Sequence, residues 1–449
     1  MARYRKRSVT LAGVVALAVA TLAGTSMLGV GQAQAPVTAT VDPGRTRLFD
    51  RGTYYLGVAT RLSARRDLGY EVAPVAQAIR QLGFNSYRDG IIWYPGRPDD
   101  GAAPAPKLAA MLAQGGARPL LVLAGDANGP GSAPLDAVRR AEFADFAERA
   151  VGSTIAAAPL YEIWNEWNRS AYPKAKPMTT AGSSDDPRYA GRYAAVAQTA
   201  AGAIVAAHPG AKVLVGATAI DPQWSWISGV VRGGGLRGAA GLSVHLYNQC
   251  NRRTRGSDEL LARLRSLNGT MRSIVGRSID VYVTEWGWST GTACQVDSDF
   301  VAASSAQFLF GAAALPFVRG TWQYELKDTG GDPSDLEDSF GVLDAQFRPK
   351  PSACAVRDAM AVLRTVRAIG SATSPPGSSA VIARTSDETV ALLWSGDAAA
   401  VARTAAAVRV TSLCGGTRAV AAGQAIPLGA MPVVVHLGAT PVPLRVTVG

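Results

Sequence analysis

Three observations predict an α/β fold, a TIM (β/α)8 barrel followed by a small C-terminal β-sandwich. Between Tyr54 and about Leu363, short apolar runs alternate with amphipathic stretches, the texture of repeated β/α units. After residue 370 a Ser/Pro/Gly stretch, SATSPPGSSA, gives way to β-rich runs without helical period. The chain has 449 residues, 48% of them apolar and 18% charged, enough for a barrel and a smaller domain and inconsistent with wholesale disorder.

In chain order, the first element is a basic segment with Arg3, Arg5, Lys6 and Arg7, an apolar run through Leu28, and Ala33-Gln34-Ala35. It reads as a signal peptide over residues 1–35, cleaved after Ala35, with retention as a single anchor as the alternative. Either way the body is exported, secreted or periplasmic. No other run approaches membrane-spanning length, which excludes a polytopic membrane protein and leaves no stable insertion after cleavage. The barrel domain is expected over 36–370. Its candidate strands are 54–59, 85–90, 119–124, 160–165, 212–217, 241–247, 279–286 and 320–325. Helices fill the gaps: Val72, Val75, Ala76, Ile79 and Leu82 share a face before Gly83 closes the helix, and Leu260, Leu261, Leu264 and Leu267 repeat that spacing. Residues 371–449 carry AVIARTS, TVALLWS, AAVRVTS, PVVVHLG and PLRVTVG, the strands of the expected sandwich. Trp394 is its only aromatic residue and fits a strand core, which favours support of the barrel over a glycan-binding module.

The formal charge is +11, and loss of the four basic residues of the leader would leave +7. The basic residues are scattered, the longest cluster being Arg252, Arg253 and Arg255, so nucleic acid has no support as a partner. An acidic polymer remains compatible. Cys250, Cys294, Cys354 and Cys414 form an even set in an exported chain, favouring disulfides. Three pairings are arithmetically open. Cys250 with Cys294 would clip two loops just beyond strand ends, and Cys354 with Cys414 would join the two domains; reduced, buried thiols are the alternative. No C-x-x-C spacing suggests zinc or redox chemistry.

In such a barrel the chemistry gathers at the C-terminal ends of the strands. Glu166 follows the fourth strand in YEIWNEWN, and Glu285 ends the seventh in DVYVTEWGW. A carboxylate ending an apolar strand is costly to desolvate, and two in one crevice repel, so the placement needs a reason. Two carboxyl groups flanking a sugar bond supply one: the first acts as acid then base, and the second attacks the anomeric carbon or activates water. The bland alternative for each is a helix-start carboxylate or a structural ion pair.

Asn165-Glu166 and Glu285, with Arg88 in GFNSYRDGIIW, His245 and Tyr247 in SVHLY and Trp322 in GTWQYE, resemble the signature of clan A retaining glycoside hydrolases. The strand-two block and C-terminal β-domain look most like family 39 and the related exported exopolysaccharide glycosidases. The resemblance implies Glu166 as acid/base, Glu285 as nucleophile, Arg88 and Tyr247 as its hydrogen-bond donors, Asn165 on the sugar 2-hydroxyl, Trp322 as the aromatic floor and His245 as an orienting group. Retention requires carboxyl groups about 5–5.5 Å apart, against roughly 6.5–9.5 Å for inversion.

Trp93, Tyr94, Trp224 and Trp226 after strands two and five, and Trp164, Trp167, Trp286 and Trp288 around the two carboxylates, suggest stacking subsites, Trp93 and Trp226 first among them. Asp126 and Asn128 lie in a turn-like GDANGPGSAP context. Asp328, Asp332, Asp335, Glu337 and Asp338 form an acidic loop that reads as solvated rather than calcium-binding. The expected partner is an oligo- or polysaccharide, met by a monomer without cofactor or metal. A non-catalytic glycan-binding protein and a transglycosylase are the competing readings.

Overall fold

The computed structural model describes residues 36–449 apart from 43–45, 65–66, 98–99, 126–132, 169–186, 220 and 397–398. The expected leader and Asp126 and Asn128 therefore lie outside the described residues. Two short strands, β1 (Val37–Val41) and β2 (Arg47–Leu48), precede the barrel. The barrel strands are β3 (Tyr55–Ala59), β4 (Ser86–Trp93), β5 (Arg118–Gly125), β6 (Leu160–Ile163), β7 (Lys212–Thr218), β8 (Gly241–Leu246), β9 (Val281–Trp286) and β10 (Val318–Gln323). All neighbours are parallel, and β10 pairs with β3 to close the barrel. A helix follows each strand in turn: α1 (Val72–Leu82), α2 (Pro106–Gln114), α3 (Ala137–Thr154), α4 (Pro187–Ala207), α5 (Ser225–Arg232), α6 (Ser257–Val275), α7 (Ser298–Ala314) and α8 (Pro351–Thr365).

Local chemistry sets the helix ends. Gly83 closes α1 at φ 86°, its N–H returning to the carbonyls of Ile79 and Arg80, a conformation that only glycine adopts cheaply. Asp136 and Asp297 cap α3 and α7 by accepting from the N–H groups of Arg139 and Phe300. The barrel interior is solid at its N-terminal end, where Tyr55, Leu120, Leu160, Leu214, Tyr282 and Trp322 form one cluster. That plug leaves the opposite end for polar side chains.

The remaining strands are β11 (Ala368–Ser371), β12 (Ser378–Arg384), β13 (Thr389–Ser395), β14 (Ala400–Thr404), β15 (Val408–Ser412), β16 (Thr417–Val420), β17 (Ile426–Leu428), β18 (Val433–Gly438) and β19 (Leu444–Val448). They form two sheets, ordered β1-β19-β14-β17 and β16-β15-β18-β13-β12-β11-β2, around a shared apolar core. The sandwich thus recruits both strands that precede the barrel, with β1 antiparallel to β19 and β2 to β11. Trp394 is buried in β13. Disulfides join Cys250 to Cys294 and Cys354 to Cys414; the second ties α8 to the turn between β15 and β16. Among the described residues, no helix is long and apolar enough to cross a membrane.

Candidate active site

Glu166 and Glu285 meet at the C-terminal end of the barrel. Glu285 lies in β9, beside its register partner His245 in β8. Glu166 arrives from beyond the end of β6 through a contorted backbone. Trp164, Glu166 and Ala217 have φ values of 69°, 46° and 39°, each in the left-handed region and each costing about 1–3 kcal/mol. The Glu166 N–H donates to the Ala217 carbonyl at 2.8 Å, which holds the turn against β7.

The two carboxylates are held differently. Glu285 accepts from Arg88 Nη1 at 2.6 Å and from the Tyr247 hydroxyl at 2.7 Å. His245 Nδ1 stands 2.9 Å from Glu166 Oε1 and 3.4 Å from Glu285 Oε2, so one ring nitrogen faces both. A carboxyl oxygen of Glu166, one of Glu285 and a His245 nitrogen lie within 4.8 Å of one another. Glu166, Glu285, Arg88 and His245 are all buried. Arg88 fans across the site: Nε and Nη2 reach Glu162 Oε2 at 2.8 and 2.7 Å, and Nη2 reaches Asn165 Oδ1 at 2.8 Å.

Burial works against the Arg88 charge, but Glu162 and then Glu285 more than offset it, so the guanidinium stays cationic. Burial also opposes protonation of His245, yet Glu285 and Glu166 hold its imidazole above the ordinary value. Tyr247 is pushed well above the usual phenol range by burial and then by Glu285, so it remains a donor. Among the described residues, Glu166, His245 and Glu285 are also the one set of donors close enough to share a metal ion. An added cation there would meet the Arg88 charge already on Glu285.

Five expectations thus converge: Arg88, Asn165, Glu166, His245 and Tyr247 surround Glu285. Trp322, expected as the sugar floor, does not join them. It is fully buried in the plug, stacked on Tyr55 at 5.5 Å with its indole N–H on Ser86 Oγ at 2.9 Å. Trp93 and Trp226 are likewise core residues, against Phe143 and Tyr193 at 5.3 and 5.2 Å. Every tryptophan is at most 5% exposed, so the expected stacking subsites are interior packing. Trp93, Phe143, Trp164, Trp167, Tyr193 and Trp226 form a continuous aromatic chain.

A second half-buried aromatic, Tyr324, lies two residues beyond Trp322, and its ring meets that of Tyr247 edge-on at 6.2 Å. Arg61 lies over that ring at 5.2 Å, and the Tyr324 hydroxyl donates to Glu337 at 2.8 Å. Sequence reasoning passed over Tyr324, Arg61 and Glu162. A strand alternates with period two, so one step past Trp322 on the same face reaches Tyr324; an acid inside the apolar YEI run was the signal for Glu162. The acidic loop is occupied internally, with Asp328 on Lys350 at 2.9 Å and Asp338 accepting the Asp332 N–H at 3.0 Å.

Neither a protein-family model nor a curated protein matches the chain. Solved structures do. A family 39 glycoside hydrolase from Bacteroides cellulosilyticus WH2 is 18% identical, with a TM-score of 0.66, over 85% of this chain and 80% of that one. The fold is similar to that of this family 39 glycoside hydrolase. A glucosidase from Croceicoccus marinus shares it at 14% identity and TM-score 0.59, over 91% of this chain and 98% of that one. So does a monomeric beta-xylosidase from Caulobacter crescentus CB15, at 15% identity and TM-score 0.52, over 90% and 98% of the two chains.

Proposed function

We propose that the chain is an exported retaining glycoside hydrolase that cleaves β-glycosidic bonds of an oligo- or polysaccharide by double displacement. Glu285 is the nucleophile and Glu166 the acid/base. The observation that carries this reading is the carboxylate pair, with oxygens inside 4.8 Å and unequal partners. A close approach of that order is compatible with direct attack by one carboxylate, the arrangement of a retaining pair. Arg88 and Tyr247 donate two hydrogen bonds to Glu285, which fix the direction of its carboxylate. Glu166, against His245, protonates the leaving oxygen and then withdraws a proton from water. Tyr324, rather than Trp322, offers the apolar face beneath the sugar, and Asn165 is placed to meet the 2-hydroxyl. The export route rests on the leader-like segment before Pro36, and a bacterial exopolysaccharide is among the candidate substrates.

The test is reducing-sugar release by the protein across bacterial exopolysaccharides and β-linked glucans, galactans, mannans and xylans, with Glu285→Gln alongside and the first-formed anomer read by proton NMR. Release of the equatorial anomer that vanishes in the variant supports the proposal. Saturable binding without release would move the reading to a glycan-binding protein, and new longer oligosaccharides to a transglycosylase.

A further inference from the structure

Glu162 has no role in the chemistry just described, yet it is fully buried in β6, four residues before Glu166. Its Oε2 takes both Nε and Nη2 of Arg88, and its Oε1 has no hydrogen-bond partner. Burying a carboxylate costs several kcal/mol even when paired, and an unpaired oxygen adds to that. The flanking residues Leu160, Tyr161 and Ile163 show what this strand needs for packing alone.

The guanidinium is a rigid planar fork, so fixing one edge fixes the others. One edge of Arg88 rests on Glu162; the remaining donors reach Glu285 and Asn165. We propose that Glu162 is a positioning residue for the nucleophile: it sets the plane in which Arg88 meets Glu285 and Asn165, and it takes a share of the Arg88 charge. Without that share the full positive charge would fall on Glu285 and make its attacking oxygen a weaker donor of electrons. The inference deepens the catalytic reading above and rests on it.

Two variants separate geometry from charge. Glu162→Gln keeps an acceptor of the same shape and removes the charge; Glu162→Ala removes both. On an aryl glycoside of whichever sugar the substrate panel shows to be released, kcat should fall about tenfold in Glu162→Gln and about a hundredfold or more in Glu162→Ala. KM should stay within about threefold, since Glu162 does not meet substrate. Unchanged kcat in both, or a loss carried by KM alone, overturns the proposal. Should Glu162→Ala not fold, kcat of Glu162→Gln decides.

A second readout needs no turnover. The Arg88 guanidinium N–H signals in nitrogen-15 NMR should exchange slowly, shift in Glu285→Gln, and be lost in Glu162→Ala. Signals unchanged in Glu162→Ala refute the hold on Arg88 whatever the activity. If they are lost while the wild type cleaves nothing, the catalytic reading fails and the hold on Arg88 stands.

Discussion

Glu285 and Trp322 sit on neighbouring strands of one barrel, and their substitution should fail in opposite ways. Glu285→Gln removes the attacking carboxylate and keeps one accepting oxygen of the two that Arg88 and Tyr247 use, so we expect turnover to drop by about three orders of magnitude or more with a much smaller effect on the melting temperature. Trp322→Ala opens a hole in the plug and should cost about 3–5 kcal/mol of stability, read by denaturant unfolding, with kcat preserved below the melting range. Tyr324→Ala should do the reverse of Trp322→Ala, weakening KM and kcat with little loss of stability, because its ring is only half-buried. The carboxylates were legible because a charge ending an apolar strand has few other reasons to exist. The tryptophans were not, since a large apolar ring serves a sugar face and a packed core equally, and only depth along the strand distinguishes them.

Among elements, the eight strands were readable because each is an apolar run bounded by turns, and the predicted ends fall within three residues of the observed ones. Helix α7 shows what the pattern hides. It is buried from Val301 through Ala314 on every side, since the barrel covers one face and β11 and β12 lie against another. The loop after β10 holds another buried acid, Glu325, whose carboxyl is pushed up to about 7 by burial, against the pull of Arg61 and Tyr70. The fold therefore keeps that proton more tightly than the unfolded chain does. Its contribution to stability is complete below the unfolded value of 4.5 and is lost as the pH rises through about 7. Glu325→Gln, which cannot ionise, should escape that loss. Thermal melts should show the variant gaining on the wild type between pH 5 and pH 8, by at most about 3 kcal/mol, the free-energy equivalent of the rise from 4.5 to about 7.

For the molecule as a whole, the sequence implied two domains but not the path between them. The two segments that precede the barrel look like any short polar-apolar stretch, and only pairing with distant strands gives them meaning. The Cys354–Cys414 bridge closes a span of 60 residues between barrel helix and sandwich turn. Replacing both cysteines by serine should lower stability by about 2–4 kcal/mol, while initial rates on a small substrate stay the same. The pairing of β1 with β19 couples segments far apart in the sequence. A hydrogen bond between Thr38 and Thr447 spans 409 positions, and β1, at its sheet's edge, has β19 as its single neighbour. The barrel strands find their partners within residues 55–323, whereas β1 finds its own only in β19. Removing Leu444–Val448 would therefore leave β1 without a strand to pair with and strip β14 of one of its two neighbours.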